Sequence, residues 1–292
     1  MVPNIALALA LPSSVSYASK QNLVEASDKH GLGVYVSDLP PNHDLFQLLS
    51  VWAACFNNIP TLGTAILPPL AYPEQVLAKQ ASTVFELVGD RLDLGLGVGD
   101  PNIFQHPTKT PVGDFIRLID NFREGAKTKP ILPHLSIAGS GERLVTYAMS
   151  HDLGVMFNGI PDHQVLGWAP PSYPTDKISA YVMANMEGYP RLSSGFVKVI
   201  ARMLAYLPSS DKERLDVDKE VSIQIRHAVK TDDFENFEKW LPEELLRKVG
   251  LVCETRADLV DFLQKMGRLG LGQVILSVPS PEGRKKLFEW IS

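Results

Sequence analysis

The sequence has few of the residues that would staple, export or metallate it. Cysteine occurs twice in 292 residues. Cys55 and Cys253 each sit in an apolar stretch with no second thiol nearby, which leaves a disulfide framework or a thiolate metal site without support and points to a reducing cytoplasm. The seven histidines include no H-x-H or H-x-x-x-H pair, so a histidine metal site has no spacing to rest on. Basic charge is scarce as well: 28 lysines and arginines face 33 acidic residues, the net charge is −5, and no basic run exceeds Arg284-Lys285-Lys286. That balance gives no electrostatic footprint for nucleic acid. No apolar run reaches the length of a bilayer span, so a membrane is not an expected partner either. The opening MVPNIALALALPSSVSYASK lacks the basic start of an export signal, and its apolar run has the length of a buried strand.

What is present is ordinary globular material, 45% hydrophobic and 21% charged, enough for a sizeable core. Strand-like and helix-like stretches alternate almost without a break. The runs at 4–10 (NIALALA), 32–38 (LGVYVSD), 61–67 (TLGTAIL), 91–100 (RLDLGLGVGD), 134–141 (HLSIAGSG), 154–160 (GVMFNGI) and 177–186 (KISAYVMANM), with QVILSV from 273, read as eight strands. Val15 to His30 reads helical and stops at Gly31, and Pro73 opens another helix where its missing N–H costs nothing. Phe115, Leu118, Ile119 and Phe122 have the spacing of a core-facing helical stripe. Thr255 with Asp258 makes a capping box before Leu259, Phe262, Leu263 and Met266, and Gly270 ends that helix.

Eight buried strands, nearly all followed by helices, predict an α/β fold closed as a (β/α)8 TIM barrel, one domain over 1–292 with a helical or irregular insertion at 187–250 before the last strand. An open doubly wound sheet alternates too, but no glycine fingerprint follows the first strand. The stretch DLFQLLSVWAACF (44–56) is apolar on more than one stripe, as a helix covered by a second subunit or buried within its own chain would be.

The fourth strand raises the sharpest question. Gly95, Gly97 and Gly99 share one face, Leu94, Leu96, Val98 and Asp100 the other. Barrel enzymes place their catalytic groups at the carboxyl ends of the strands, where Asp100 stands, and this makes it the candidate catalytic carboxylate. If Asp100 points into the mouth, parity sends the leucines into the barrel and the glycines out beneath the helices. If a bulge breaks parity, the last glycine clears space for a ligand ring instead. Plainer roles are glycine as a packing device and Asp100 as the cap of a turn.

The segment AKQASTVFELVGDRLDLGLGVGD (78–100), with LGTAILPPLAYP before it, resembles the luciferase-like superfamily of flavin- and deazaflavin-dependent oxidoreductases. The Gly-x-Gly-x-Gly-Asp ending and the IAGSG turn look most like the coenzyme F420-dependent methylenetetrahydromethanopterin reductases, and ETRADLVDFLQKMGRLGLGQVIL is similar to the closing helix and strand of the family. The resemblance implies hydride transfer between coenzyme F420, or FMN as the alternative, and a small-molecule substrate such as a methylene-tetrahydropterin, in a homodimer. It implies a non-prolyl cis peptide at Ala65–Ile66 that, with Thr64, makes a bulge behind the cofactor ring; Asp38 and Gly99 beside that ring; and a ring or substrate hydrogen bond from Asn158. The turn Gly139-Ser140-Gly141 matches the phosphate loop of the family. Its two glycines admit an anion to backbone N–H groups, the helix starting at Glu142 offers its positive end, and Arg143 adds a charge. Two departures bear on the substrate: Leu39 follows Asp38 where the reductases have histidine, and Ala8, Leu9 and Ala10 stand where they carry a glutamate. A relative that keeps the barrel without its catalysis is the remaining reading.

Overall fold

The computed structural model describes residues 2–9, 15–38, 43–99, 111–126, 135–139, 141–170, 172–189, 191–207, 209–234, 237 and 240–292. Its strands are β1 (Asn4–Leu9), β2 (Gly33–Val36), β3 (Leu62–Leu67), β4 (Leu92–Leu96), β5 (Leu135–Ala138), β6 (Gly154–Asn158), β7 (Ile178–Asn185), β8 (Leu251–Val252) and β9 (Gln273–Ser277). Strands β1 to β7 follow one another around a closed ring of eight parallel strands, and β9 joins β7 back to β1. These are the eight apolar runs of the sequence, and the fold is the (β/α)8 barrel they predict. The two-residue β8 pairs Leu251 with Ala184 and Val252 with Asn185 at the end of β7.

Contacts divide the chain into two compact units, Met1–Tyr181 with Gln264–Ile275 and Val182–Leu263 with Leu276–Ser292. In the second, the helix Ser194–Tyr206 buries Phe196, Val197, Ile200, Ala201 and Leu204. The Asn185 side chain ties down the turn after β7, donating to the Gly188 and Arg191 carbonyls and accepting from the Ser193 N–H. Residues 187–250 hold the helices Ser194–Tyr206, Ser209–Arg214, Lys219–Thr231 and Glu243–Val249.

Local chemistry sets the helix boundaries. Ser16 and Asp44 cap the helices Tyr17–Lys29 and Leu45–Cys55 by accepting from Ser19 and Gln47 N–H groups. Thr255 and Asp258 exchange hydrogen bonds as a capping box does. Gly31 and Gly270 have φ of 63° and 87°, a turn that side-chain-bearing residues resist. The helix Val112–Ala126 buries Phe115, Ile119, Phe122 and Ala126, each large side chain adding about 1.5–3 kcal/mol of apolar burial. The helix Leu45–Cys55 is covered on one side only: Trp52 is buried, while Val51 is 43% exposed.

The ring has a small-residue interior. Ala6, Ala8, Tyr35, Ala65, Met156 and Ile275 form one cluster, with Ile66, Ala138 and Tyr181 packed on it. Residues from β1, β2, β3, β6 and β9 meet in this way only inside the ring. The glycines of β4 face the same interior. A Cβ on Gly95 would fall 2.3 Å from the Thr64 carbonyl and 2.8 Å from Met156, and one on Gly97 would fall 2.5 Å from the tip of Ile66. Leu94 and Leu96 are fully buried on the opposite, helix-facing side. The first parity reading, with leucines inward and glycines outward, is therefore reversed. The reason is that β3 leans its own backbone and Ile66 into the space that β4 side chains would occupy.

Polar groups fill the amino-terminal half of the ring. The buried Tyr35 hydroxyl donates to Asp93 Oδ2 at 2.7 Å and lies 2.6 Å from the Gln273 side chain, while Ser136 donates to Asp93 Oδ1 at 2.6 Å. Gly63 and Gly154 leave room for this network, since a Cβ on either would meet Tyr35 or Ser136 at 2.5 Å or less.

Gly95→Ala is the substitution that this packing tolerates least, because the obstacle is backbone. Urea unfolding of the variant should show a loss of at least about 1–3 kcal/mol, and an unchanged midpoint would contradict the inward assignment.

Candidate active site

The β3 kink organises the carboxyl end of the ring. The Ala65–Ile66 peptide is cis and non-prolyl, at the position the family resemblance implies. The β3–β4 register skips there: Ala65 pairs with Gly95 but Leu67 with Leu96, so Ile66 is the extra, bulged residue. Neighbouring groups satisfy the displaced backbone. Ser37 Oγ donates to the Ala65 carbonyl at 2.5 Å, and the Asp38 N–H donates to the Ile66 carbonyl at 3.2 Å. The Gly97 N–H donates to the Leu67 carbonyl at 3.2 Å, and the buried Thr64 hydroxyl donates to the Gly95 carbonyl at 3.0 Å. Ile66 itself remains partly exposed.

Asp38, two residues past β2, is half-buried, and its Oδ2 accepts the Tyr72 hydroxyl at 2.8 Å. Tyr72 is held edge-on by Phe46, with ring centroids 6.0 Å apart and planes at 82°. Burial pushes the Asp38 carboxyl above the ordinary aspartate range, the Tyr72 hydroxyl pulls it back, and Asp44 adds a smaller upward push. The Tyr72 phenol is raised by burial and by Asp38.

Elsewhere at this end, Asn158 closes β6, exposed and on the interior parity of Met156, in register with Tyr181. Gly99 has φ of 80°, a left-handed turn out of β4 that suits glycine. The Gly139 N–H donates to the Met156 carbonyl at 3.1 Å, and a Cβ there would meet Leu144 at 2.9 Å. Gly141 is the N-cap of the helix Glu142–Ser150, which has no side-chain cap, and a Cβ on it would touch nothing within 4 Å. Gly141 thus brings no side-chain acceptor to the first N–H groups of that helix.

Neither a protein-family model nor a curated protein matches this sequence. Solved structures do match it in fold. A coenzyme F420-dependent tetrahydromethanopterin reductase from Methanopyrus kandleri superposes with a TM-score of 0.76 at 16% identity, over 99% of this chain and 97% of its own. An F420-dependent secondary alcohol dehydrogenase, in complex with an F420–acetone adduct, gives 0.64 at 11% identity over 99% and 98%. A monooxygenase from Streptomyces bottropensis gives 0.63 at 15% over 98% and 97%. The chain shares the (β/α)8 barrel fold of these proteins.

In this barrel Asp38, Ala65, Ile66, Gly99, Gly139 and Asn158 lie toward the carboxyl ends of β2 to β6, with Thr64 within β3 just before the bulge. Asp100 and Ser140 lie outside the described residues, as do Ala10 and Leu39. Arg143 is exposed with its guanidinium beside Gly113, in a shallow groove of about 430 Å³ that also includes Ile116, Thr146 and Tyr147. Among the described residues no group of three His, Cys, Asp or Glu side chains is placed to hold a metal ion. Sequence reasoning passed over Ser37 and Tyr72, although Tyr72 stands in the LPPLAYP motif and Ser37 adjoins Asp38.

Because burial raises the folded-state pKa of Asp38, its contribution to stability is full below the unfolded value of about 3.9 and is lost as pH rises through the folded value. Asp38→Asn should therefore raise the melting temperature at pH 7 relative to wild type, with the gain vanishing near pH 3. Tyr72→Phe should move the Asp38 carboxyl titration, followed by NMR, to still higher pH; a downward or absent shift would contradict the assigned hydrogen bond.

Proposed function

We propose that this barrel is a coenzyme F420-dependent oxidoreductase that passes a hydride between the deazaflavin and a small acceptor, a methylene-tetrahydropterin being the first to test. The observation that carries the reading is the β3 bulge at Ile66, pinned by Ser37 and Asp38 and facing glycine on β4. The fold likeness supports a deazaflavin or flavin cofactor: an F420-dependent reductase reaches 0.76 and an F420-dependent alcohol dehydrogenase 0.64, while a riboflavin lyase with modified FMN gives 0.65 and three monooxygenases 0.62–0.63.

The residues present fit such a group. Ala65, Ala138, Gly97 and the partly exposed Ile66 form a floor of small side chains with one aliphatic ridge, against which a flat ring can lie. When bound, the deazaflavin supplies the carbon that gives or takes the hydride. Ile66 backs the ring, Asp38 accepts from its polar edge while held by Tyr72, and the Asn158 amide hydrogen-bonds to the ring or the acceptor. The amino end of the helix Glu142–Ser150, which has no side-chain cap, would receive a phosphate, with Arg143 in its first turn and Ser140 of the sequence motif as further donors. Asp100, the candidate catalytic carboxylate of the sequence, would be the group that moves the acceptor's proton. Ala8, 5% exposed in the interior cluster, is too short to reach an acceptor, so the acceptor side differs from that of the reductases. The reading extends to a cytoplasmic homodimer, supported by the free Cys55 and Cys253 and by the exposed Val51 side of the helix Leu45–Cys55.

Titration of the purified protein with F420 and with FMN tests this directly. Saturable F420 binding with loss of its visible absorbance on adding a donor is expected. Preferential binding of FMN with oxygen consumption makes the protein a flavin monooxygenase instead, and binding of neither makes it a non-catalytic relative.

A further inference from the structure

The helix Tyr17–Lys29 buries three residues along one stripe, Lys20, Val24 and Ser27. Lys20 is 3% exposed and occupies the first turn, at the end of the ring where the carboxyl ends of the strands lie. A lysine is out of place there on two counts: burial penalises an ammonium, and the amino end of a helix repels a cation. Buried charges are normally matched by opposite charge. Among the described residues Lys20 Nζ has one polar partner, His43 Nδ1 at 3.1 Å. No carboxylate among the described residues pairs with it, and the loop segments next in sequence, 10–14 and 39–42, contain no Asp or Glu.

We propose that Lys20 and His43 form a binding site for an oxyanion, the carboxylate or phosphate oxygens of a small-molecule ligand, which supplies the counter-charge that the chain itself withholds. With His43 Nδ1 accepting from the ammonium, the neutral ring carries its proton on Nε2 and offers a second donor. His43 is exposed while Lys20 is buried, and the Tyr17 ring lies beside the imidazole, tilted by 58° with centroids 6.1 Å apart. A ligand reaching this pair therefore meets the imidazole first and the ammonium second. Asp44, next in sequence, is committed elsewhere, its Oδ1 capping the Gln47 N–H. Burial lowers the Lys20 ammonium from the ordinary lysine range, and an anion beside it acts in the opposite direction. The site stands independently of the coenzyme reading and is tested without coenzyme.

The full chain is titrated at pH 7 with inorganic phosphate and, separately, with succinate, following the His43 ring signals by NMR and the melting temperature. A saturable His43 shift is expected with at least one probe, weakened at least tenfold in Lys20→Met and unchanged in Lys29→Met, a surface control on the same helix. Preference for succinate marks a carboxylate ligand, preference for phosphate a phosphoryl one. Lys20→Met should melt no lower than wild type, because it removes an uncompensated buried charge from an otherwise compatible stripe. A His43 signal that neither probe moves, equal affinity in Lys20→Met, or a Lys20→Met protein that melts well below wild type would overturn the site, the last because the ammonium would then be holding the fold.

Discussion

The interlock of β3 with β4 is the constraint on which the carboxyl end of the barrel depends. At Ile66, β3 carries one residue more than β4 can pair, and it leans that residue inward. The strand opposite accommodates this by having no side chain at 95 and 97. Donors from both sides then fix the displaced backbone: Ser37 and Asp38 from β2, and Gly97 from β4. Asp38 is consequently tied at two points, its N–H to Ile66 and its carboxylate to Tyr72. Backbone shape, a rim carboxylate and an aromatic support are thus one mechanical unit, and a ligand resting on Ile66 meets a rigid surface.

The two halves of the ring use different chemistry. Toward the amino ends, Tyr35, Asp93, Ser136 and Gln273 fill the interior with a satisfied polar network, which low dielectric strengthens once every member is paired. Toward the carboxyl ends, alanine and glycine leave the interior shallow and apolar up to Ile66. The first arrangement closes the floor. The second leaves room above it, which is where barrels of this kind do their chemistry.

Much of this was legible in the sequence. Eight apolar runs, the Thr255–Asp258 box and the helix-ending glycines at 31 and 270 are local signals, and local physics decided them. The cis bond at 65–66 came from resemblance, since no composition rule marks it. The facing of β4 was not legible: in a strand buried on both sides, period two separates two faces but does not say which one sees the interior. Gly95 and Gly97 look outward until the β3 bulge is known. Tyr72 and Lys20 escaped for a related reason, because a phenol in a turn and a lysine on a helix look solvated until tertiary packing buries them.

The most direct test of the account is a crystal of this protein grown with saturating coenzyme F420. The account predicts planar density against the Ile66 face of the β3 bulge, within hydrogen-bond reach of Asp38, with phosphate density at the 139–141 turn. A saturated crystal with the ring bound away from Ile66, or with β3 and β4 in unbroken register, would contradict it.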